Sequence, residues 1–199
     1  MTLLLELHAL LADFAFPWAL CGGYALELYT GKSIRPHGDI DLCLPESARR
    51  DIISFLLRKG WRIYEYRGMG RVKPLLRPED SEAGRNLMAT LGDSGPVQFF
   101  PCEEQGLLYH RFTPGMTALN FLDLLFNPEM PAVLRTQDGL PILAPEIALL
   151  YKAAQPGEAS AQADFAAVYP RLDNGQRTRL QTALAAKYPE GHPWRNEQE

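Results

Sequence analysis

Apolar positions along this chain come in short blocks with two rhythms. Spacing of three to four residues, the mark of a helix with one buried face, runs through Met1–His8 and again through Ile52, Ile53, Leu56 and Leu57. Ser47 offers a cap for this second helix, which is predicted to reach Lys59 and stop at Gly60. Alternation of outward and inward residues predicts a strand over Trp61–Tyr66 and two more over Val97–Phe100 and Leu107–Phe112. Phe16–Cys21 reads as a short apolar strand entering Gly22-Gly23, after which Tyr24–Tyr29 has helical spacing and halts at Gly31. Leu119–Phe126 is an apolar, strand-like run with Asp123 as its only acid; a helix turning that acid to solvent fits equally, because so short a run has no decisive period. Pro145, with Glu146 in the first turn, predicts a helix ending near Lys152; Asp164 and Phe165 fall in the next, and Gln176–Tyr188 forms a last amphipathic one. Trp194, in the non-helical end that follows, can dock the tail.

These elements predict an α+β fold, a small mixed β-sheet flanked by helices, with a C-terminal helical portion. The expected layout is a core over residues 1–140 and helices over 141–199, with a cleft between them. A chain of 199 residues that is 46% hydrophobic can build a real core. The formal charge of −4 argues against bulk nucleic acid as the main partner, though a local basic cleft for tRNA stays open. Cys21, Cys43 and Cys102 are odd in number and lie mostly among apolar residues, as expected of reduced core thiols. The N-terminus lacks a basic region and is interrupted by charge, so neither a signal peptide nor a membrane span is expected, and a cytoplasmic location follows.

Candidate chemistry concentrates in Asp39-Ile40-Asp41. On a strand, side chains alternate, so Asp39 and Asp41 share one face while Ile40, Leu42 and Leu44 point into a core. Adjacent carboxylates repel one another unless a cation with oxygen ligands lies between them, which makes the pair a candidate metal clamp. Upstream, Gly22-Gly23 between strand and helix lets backbone amides and the helix dipole approach a phosphate. Either feature alone has an ordinary structural reading, as a solvated strand face or a tight turn.

Taken together, GGYALELYTGKSIRPHGDIDLCL resembles the signature of the nucleotidyltransferase superfamily that includes DNA polymerase beta. It is most similar to the aminoglycoside-type nucleotidyltransferases and their bacterial relatives. The likeness extends to Gly139–Ala153 and to Ala163-Asp164-Phe165, whereas residues 67–118 carry no specific motif. The resemblance implies a Mg2+-dependent transferase that moves NMP, expected to be AMP, from ATP or another NTP to an acceptor hydroxyl, possible acceptors including an aminoglycoside. It implies that Asp39, Asp41 and Asp123 hold the metal, with Asp123 taking the acceptor proton, and that Gly22, Gly23 and Tyr24 meet the nucleotide. Tyr24 stands where polymerases often carry Ser, so no hydroxyl contact to phosphate is assumed there.

Arg35 could neutralise phosphate or form a surface ion pair, and His37 could touch nucleotide or acceptor or simply pack at the strand entry. Lys152 is either a helix C-terminal charge or a phosphate ligand, and Asp164 could pair with it structurally. Arg67, Arg71, Lys73 and Arg77 put four positive charges into eleven residues rich in Gly and Pro, read as a mobile connection that could clamp an anion. Two other classes remain open: a catalytically inactive nucleotide-binding or regulatory module, and a toxin-antitoxin-type transferase acting on tRNA or protein.

Overall fold

The computed structural model describes residues 2–91, 100–101, 108–109, 116–121 and 132–195. They form two compact units, the first from Met1–Leu20 and His37–Pro131, the second from Cys21–Pro36 and Ala132–Glu199.

The first unit is built on a mixed sheet of strands β1 (Ala19–Cys21, whose last residue opens the second unit), β2 (Asp39–Leu44), β3 (Trp61–Gly68), β4 (Arg71–Leu75), β5 (Leu87–Leu91), β6 (Phe100–Pro101), β7 (Leu108–Tyr109) and β8 (Met116–Phe121). Their order is β6-β7-β4-β3-β5-β8-β2-β1. β2 runs parallel to β8, and β8 antiparallel to β5. Helices α1 (Thr2–Leu11) and α3 (Arg49–Arg58) complete this unit. Ile40, Leu42 and Leu44 of β2 are buried with Ile52, Ile53 and Leu56 of α3 and with Ile63, Leu75, Leu87 and Leu119 of the neighbouring strands. Each such enclosure is worth about 1.5–3 kcal/mol, so this apolar face fixes which way β2 turns its other face.

Two expectations change here. Ser47 caps nothing: it lies in a short 3₁₀ turn, Glu46–Ala48, and α3 opens after it without a side-chain cap. Arg49 instead secures that end, its guanidinium bonding Glu46, the Ser81 hydroxyl and the Arg85 carbonyl. The basic stretch is not a loose connection but a β-hairpin. Gly68 pairs with Arg71 across a two-residue turn in which Met69 (φ 49°) and Gly70 (φ 72°) both have positive φ, the geometry that matches the twist of paired strands. Three of its four cations are engaged nearby: Arg67 bridges Glu65 and Glu82 at 2.6 and 2.8 Å, Arg77 reaches Asp80 at 3.0 Å, and Lys73 donates to the Asp80 carbonyl. Pro74, which argues against a strand by composition, sits exposed within β4, opposite Tyr64 of β3.

The second unit gathers α2 (Gly22–Thr30), a hairpin of β9 (Val133–Arg135) and β10 (Pro141–Leu143), and helices α4 (Pro145–Lys152), α5 (Ala159–Val168) and α6 (Asn174–Lys187). α4 has the expected Pro start, acidic first turn and Lys152 in its last turn. α6 opens on a capping box in which Asp173 and Gln176 satisfy each other's backbone N–H. Tyr29 on α2 donates to the Arg171 carbonyl at 3.0 Å and to Gln176 Oε1 at 3.1 Å, tying α2 to the start of α6. Trp194 is buried and stacks on Phe165 with ring centres 4.4 Å apart, docking the tail onto α5 as its composition suggested.

Candidate functional site

In the first unit, β2 places Asp39 and Asp41 on one face, each half-exposed, while Ile40 and Leu42 are buried on the other. The register pairs Asp39 with Met116, Asp41 with Ala118 and Cys43 with Asn120 on β8. The face beside the acidic pair therefore carries Ala118 and Asn120, and the Asn120 amide is within 3.5 Å of Asp41 Oδ1 while donating to the Leu42 carbonyl at 3.1 Å. This amide steadies one oxygen of Asp41 without adding charge. Nothing in the sequence singled out Asn120; its signal was only its even spacing from Ala118 along an alternating strand. Asp123, the expected third acid, lies outside the described residues, two positions past the end of β8. Among the described residues no group of three or more His, Cys, Asp or Glu side chains gathers as a metal cage. His37 lies half-buried just ahead of β2.

The remaining expected positions lie in the second unit. Cys21 is extended (φ −128°, ψ −163°) and Gly22, with φ 63°, starts α2, so both glycines belong to the helix rather than to a loop before it. A side chain at 22 would be strained there, since the left-handed region is open mainly to glycine. The Cys21 side chain makes no cap hydrogen bond to the start of α2. Tyr24 follows, half-buried, in the first turn. Arg35 and Lys152 meet on one carboxylate: Arg35 Nη2 is 3.1 Å and Lys152 Nζ 2.8 Å from Asp164 Oδ2. The pairing of Lys152 with Asp164 expected from the sequence is thus present, and Arg35 is its unforeseen third member. A cleft of about 1080 Å³ along α6, between Arg177, Gln181 and tail residues Pro189–Arg195, contains none of the expected site residues.

A helix opened by glycine and an Asp-x-Asp strand paired in parallel within a mixed sheet are both features that the sequence led us to expect, and known proteins are similar to this chain. Residues 3–73 match the family model Aminoglycoside-2''-adenylyltransferase. The solution structure of the antibiotic-resistance factor ANT(2'')-Ia is similar with a TM-score of 0.60 at 15% identity, over 95% of this chain and 92% of that one. The crystal structure of ANT(2'')-Ia in complex with adenylyl-2''-tobramycin gives 0.58 at 14% identity, over 94% and 97%. The lincosamide antibiotic adenylyltransferase LnuA, lincomycin-bound, gives 0.53 at 16% identity, over 84% and 95%. No curated protein matches the sequence. The chain is thus similar to aminoglycoside-type nucleotidyltransferases, through its N-terminal sequence and its α+β fold. No helix among the described residues is long and apolar enough to cross a membrane.

Proposed function

We propose that this protein is a nucleotidyltransferase that moves NMP, expected to be AMP, from a nucleoside triphosphate to a hydroxyl of a small molecule of the antibiotic type. One observation carries the reading: β2 commits Ile40, Leu42 and Leu44 to the core, and so turns both Asp39 and Asp41, half-exposed, to one face. Two half-exposed carboxylates on alternate residues, with a neutral amide beside them, fit a hard divalent cation, which prefers oxygen donors. Asp39 and Asp41 would hold Mg2+, together with Asp123; when bound, the ion supplies charge neutralisation for the phosphates and the reacting centre.

The chain's own residues do the rest. The amides of Gly22 and Gly23 receive phosphate oxygens at the head of α2, with Tyr24 and His37 against the nucleotide. Arg35 and Lys152 offset the negative charge of the polyphosphate. Asp123 takes the proton of the acceptor hydroxyl, whose oxygen forms a bond to the α-phosphorus as the bond from that phosphorus to the bridging oxygen breaks and pyrophosphate leaves in line. Positioning and charge supply most of the rate, since the chemistry needs no covalent help from the protein.

The test is a screen of α-labelled NTPs against aminoglycosides, lincosamides and other hydroxylated acceptors, with Mg2+. Labelled acceptor together with released pyrophosphate supports the reading. An NTP-dependent rise in melting temperature without any transfer would favour the inactive nucleotide-binding module; label appearing on tRNA or protein would favour the toxin-type transferase.

A further inference from the structure

Asp164 on α5 is fully enclosed, its side chain 0% exposed, yet two cations converge on it. Arg35 Nε donates to both carboxylate oxygens at 3.2 and 3.3 Å and Nη2 to Oδ2 at 3.1 Å, while Lys152 Nζ lies 2.8 Å from Oδ2. The cations keep 23% and 18% of their side-chain surface open. The acid is therefore sealed behind, and the side of the trio that faces outward is positive. Arg35 Nη1 also donates to the Pro36 carbonyl. These bonds use one N–H on each terminal nitrogen of Arg35 and one on the Lys152 ammonium, so further N–H groups on these partly exposed side chains can reach solvent or a bound anion. One enclosed carboxylate shared by two cations leaves one positive charge over, carried on side chains that remain partly exposed.

Arg35 is held a second time through its backbone. Oε1 of Glu27, on α2, accepts the N–H groups of Ile34 at 2.6 Å and Arg35 at 3.1 Å, and the Ser33 hydroxyl at 3.2 Å. The helix that opens at Gly22-Gly23 thus fixes where Arg35 starts, and α5 fixes where its guanidinium ends.

We propose that Asp164 is a positioning residue that holds Arg35 and Lys152 as a paired receptor for the polyphosphate chain of the nucleotide, an inference that rests on the transferase reading above. Replacing Asp164 by Asn removes the shared anchor but adds net positive charge. Attraction for polyphosphate then persists while the donors lose their orientation.

The experiment measures acetylation of individual lysines by acetic anhydride in the intact protein, with and without sodium tripolyphosphate, alongside transfer kinetics. Wild-type Lys152 should be protected by tripolyphosphate while exposed Lys32 is not. In Asp164→Asn, kcat should fall about tenfold to a hundredfold with the nucleotide KM little changed, and Asp164→Glu should recover part of the loss. If Asp164→Asn does not fold, the wild-type labelling and Asp164→Glu still decide the matter. Absence of Lys152 protection in the wild type overturns the proposal, as does an Asp164→Asn enzyme with wild-type kcat. Protection without transfer from any NTP would leave the receptor standing and remove the transferase; transfer without protection would do the reverse.

Discussion

Asp41→Asn is the perturbation that tests the acidic pair most directly. Asp39 and Asp41 are two residues apart on one face of β2, a separation of about 6.7 Å along a strand. Two unit charges at that distance repel by about 0.6 kcal/mol in bulk water and about 2.5 kcal/mol at an effective dielectric constant of 20. Both side chains are half-exposed, and salt screens over about 8 Å at physiological ionic strength, which leaves about 0.5–1 kcal/mol. The Asn120 amide that approaches Asp41 Oδ1 can still find an oxygen on an asparagine. In metal-free buffer the variant should therefore melt about 1–4 °C higher than wild type by scanning calorimetry. With Mg2+ and NTP the order should reverse, because only the wild type gains the binding contribution, and transfer should drop by two orders of magnitude or more, given the several kcal/mol a metal contributes. A variant that melts lower without metal, or turns over at the wild-type rate, would refute the clamp.

Met69→Asn should stabilise the protein by about 0.5–1 kcal/mol, since Met69 is 80% exposed and held at φ 49°, a region that asparagine tolerates better; the urea midpoint should rise at constant slope. Burial, with the charges of Asp173 and Glu146 behind it, raises the Tyr29 pKa above its ordinary 10.0. The sign follows: the folded state favours the neutral phenol, so its contribution is whole below about pH 10 and is lost as pH climbs through the folded value. Tyr29→Phe should flatten that alkaline part of the stability profile, and an unchanged profile would show that other groups govern it. Trp194→Ala should cost about 3–5 kcal/mol, because the ring is 4% exposed and stacked on Phe165; a loss under 1 kcal/mol would mean the tail merely rests on α5.

The parts legible in the sequence were those governed by local rules. The glycine pair announced the start of α2, Pro145 and Glu146 the start of α4, and Gly60 the end of α3. Alternation in Asp39–Leu44 gave the shared face of the acids before any partner strand was known. Where two elements had to meet, local rules said little. β4 was hidden by Pro74 and by two cations, Arg71 and Lys73, that composition marks as solvated, and its strand character comes from pairing with β3 and β7. β5, Leu87–Leu91, has no clear polar–apolar alternation, four of its five residues being buried, and long-range pairing places it between β3 and β8.

The sequence by itself determined which residues can carry the chemistry: two carboxylates on alternate strand positions, a glycine corner, and an isolated arginine and lysine. Periodicity and residue chemistry are local properties, and a chain carries them wherever it folds. Tertiary structure alone decided their company. It set Asn120 beside Asp41 through the parallel register of β2 and β8, and it joined Arg35, Lys152 and Asp164 across more than a hundred residues of chain. Such meetings depend on which apolar faces bury one another, a cooperative outcome of the whole core that no window of sequence contains.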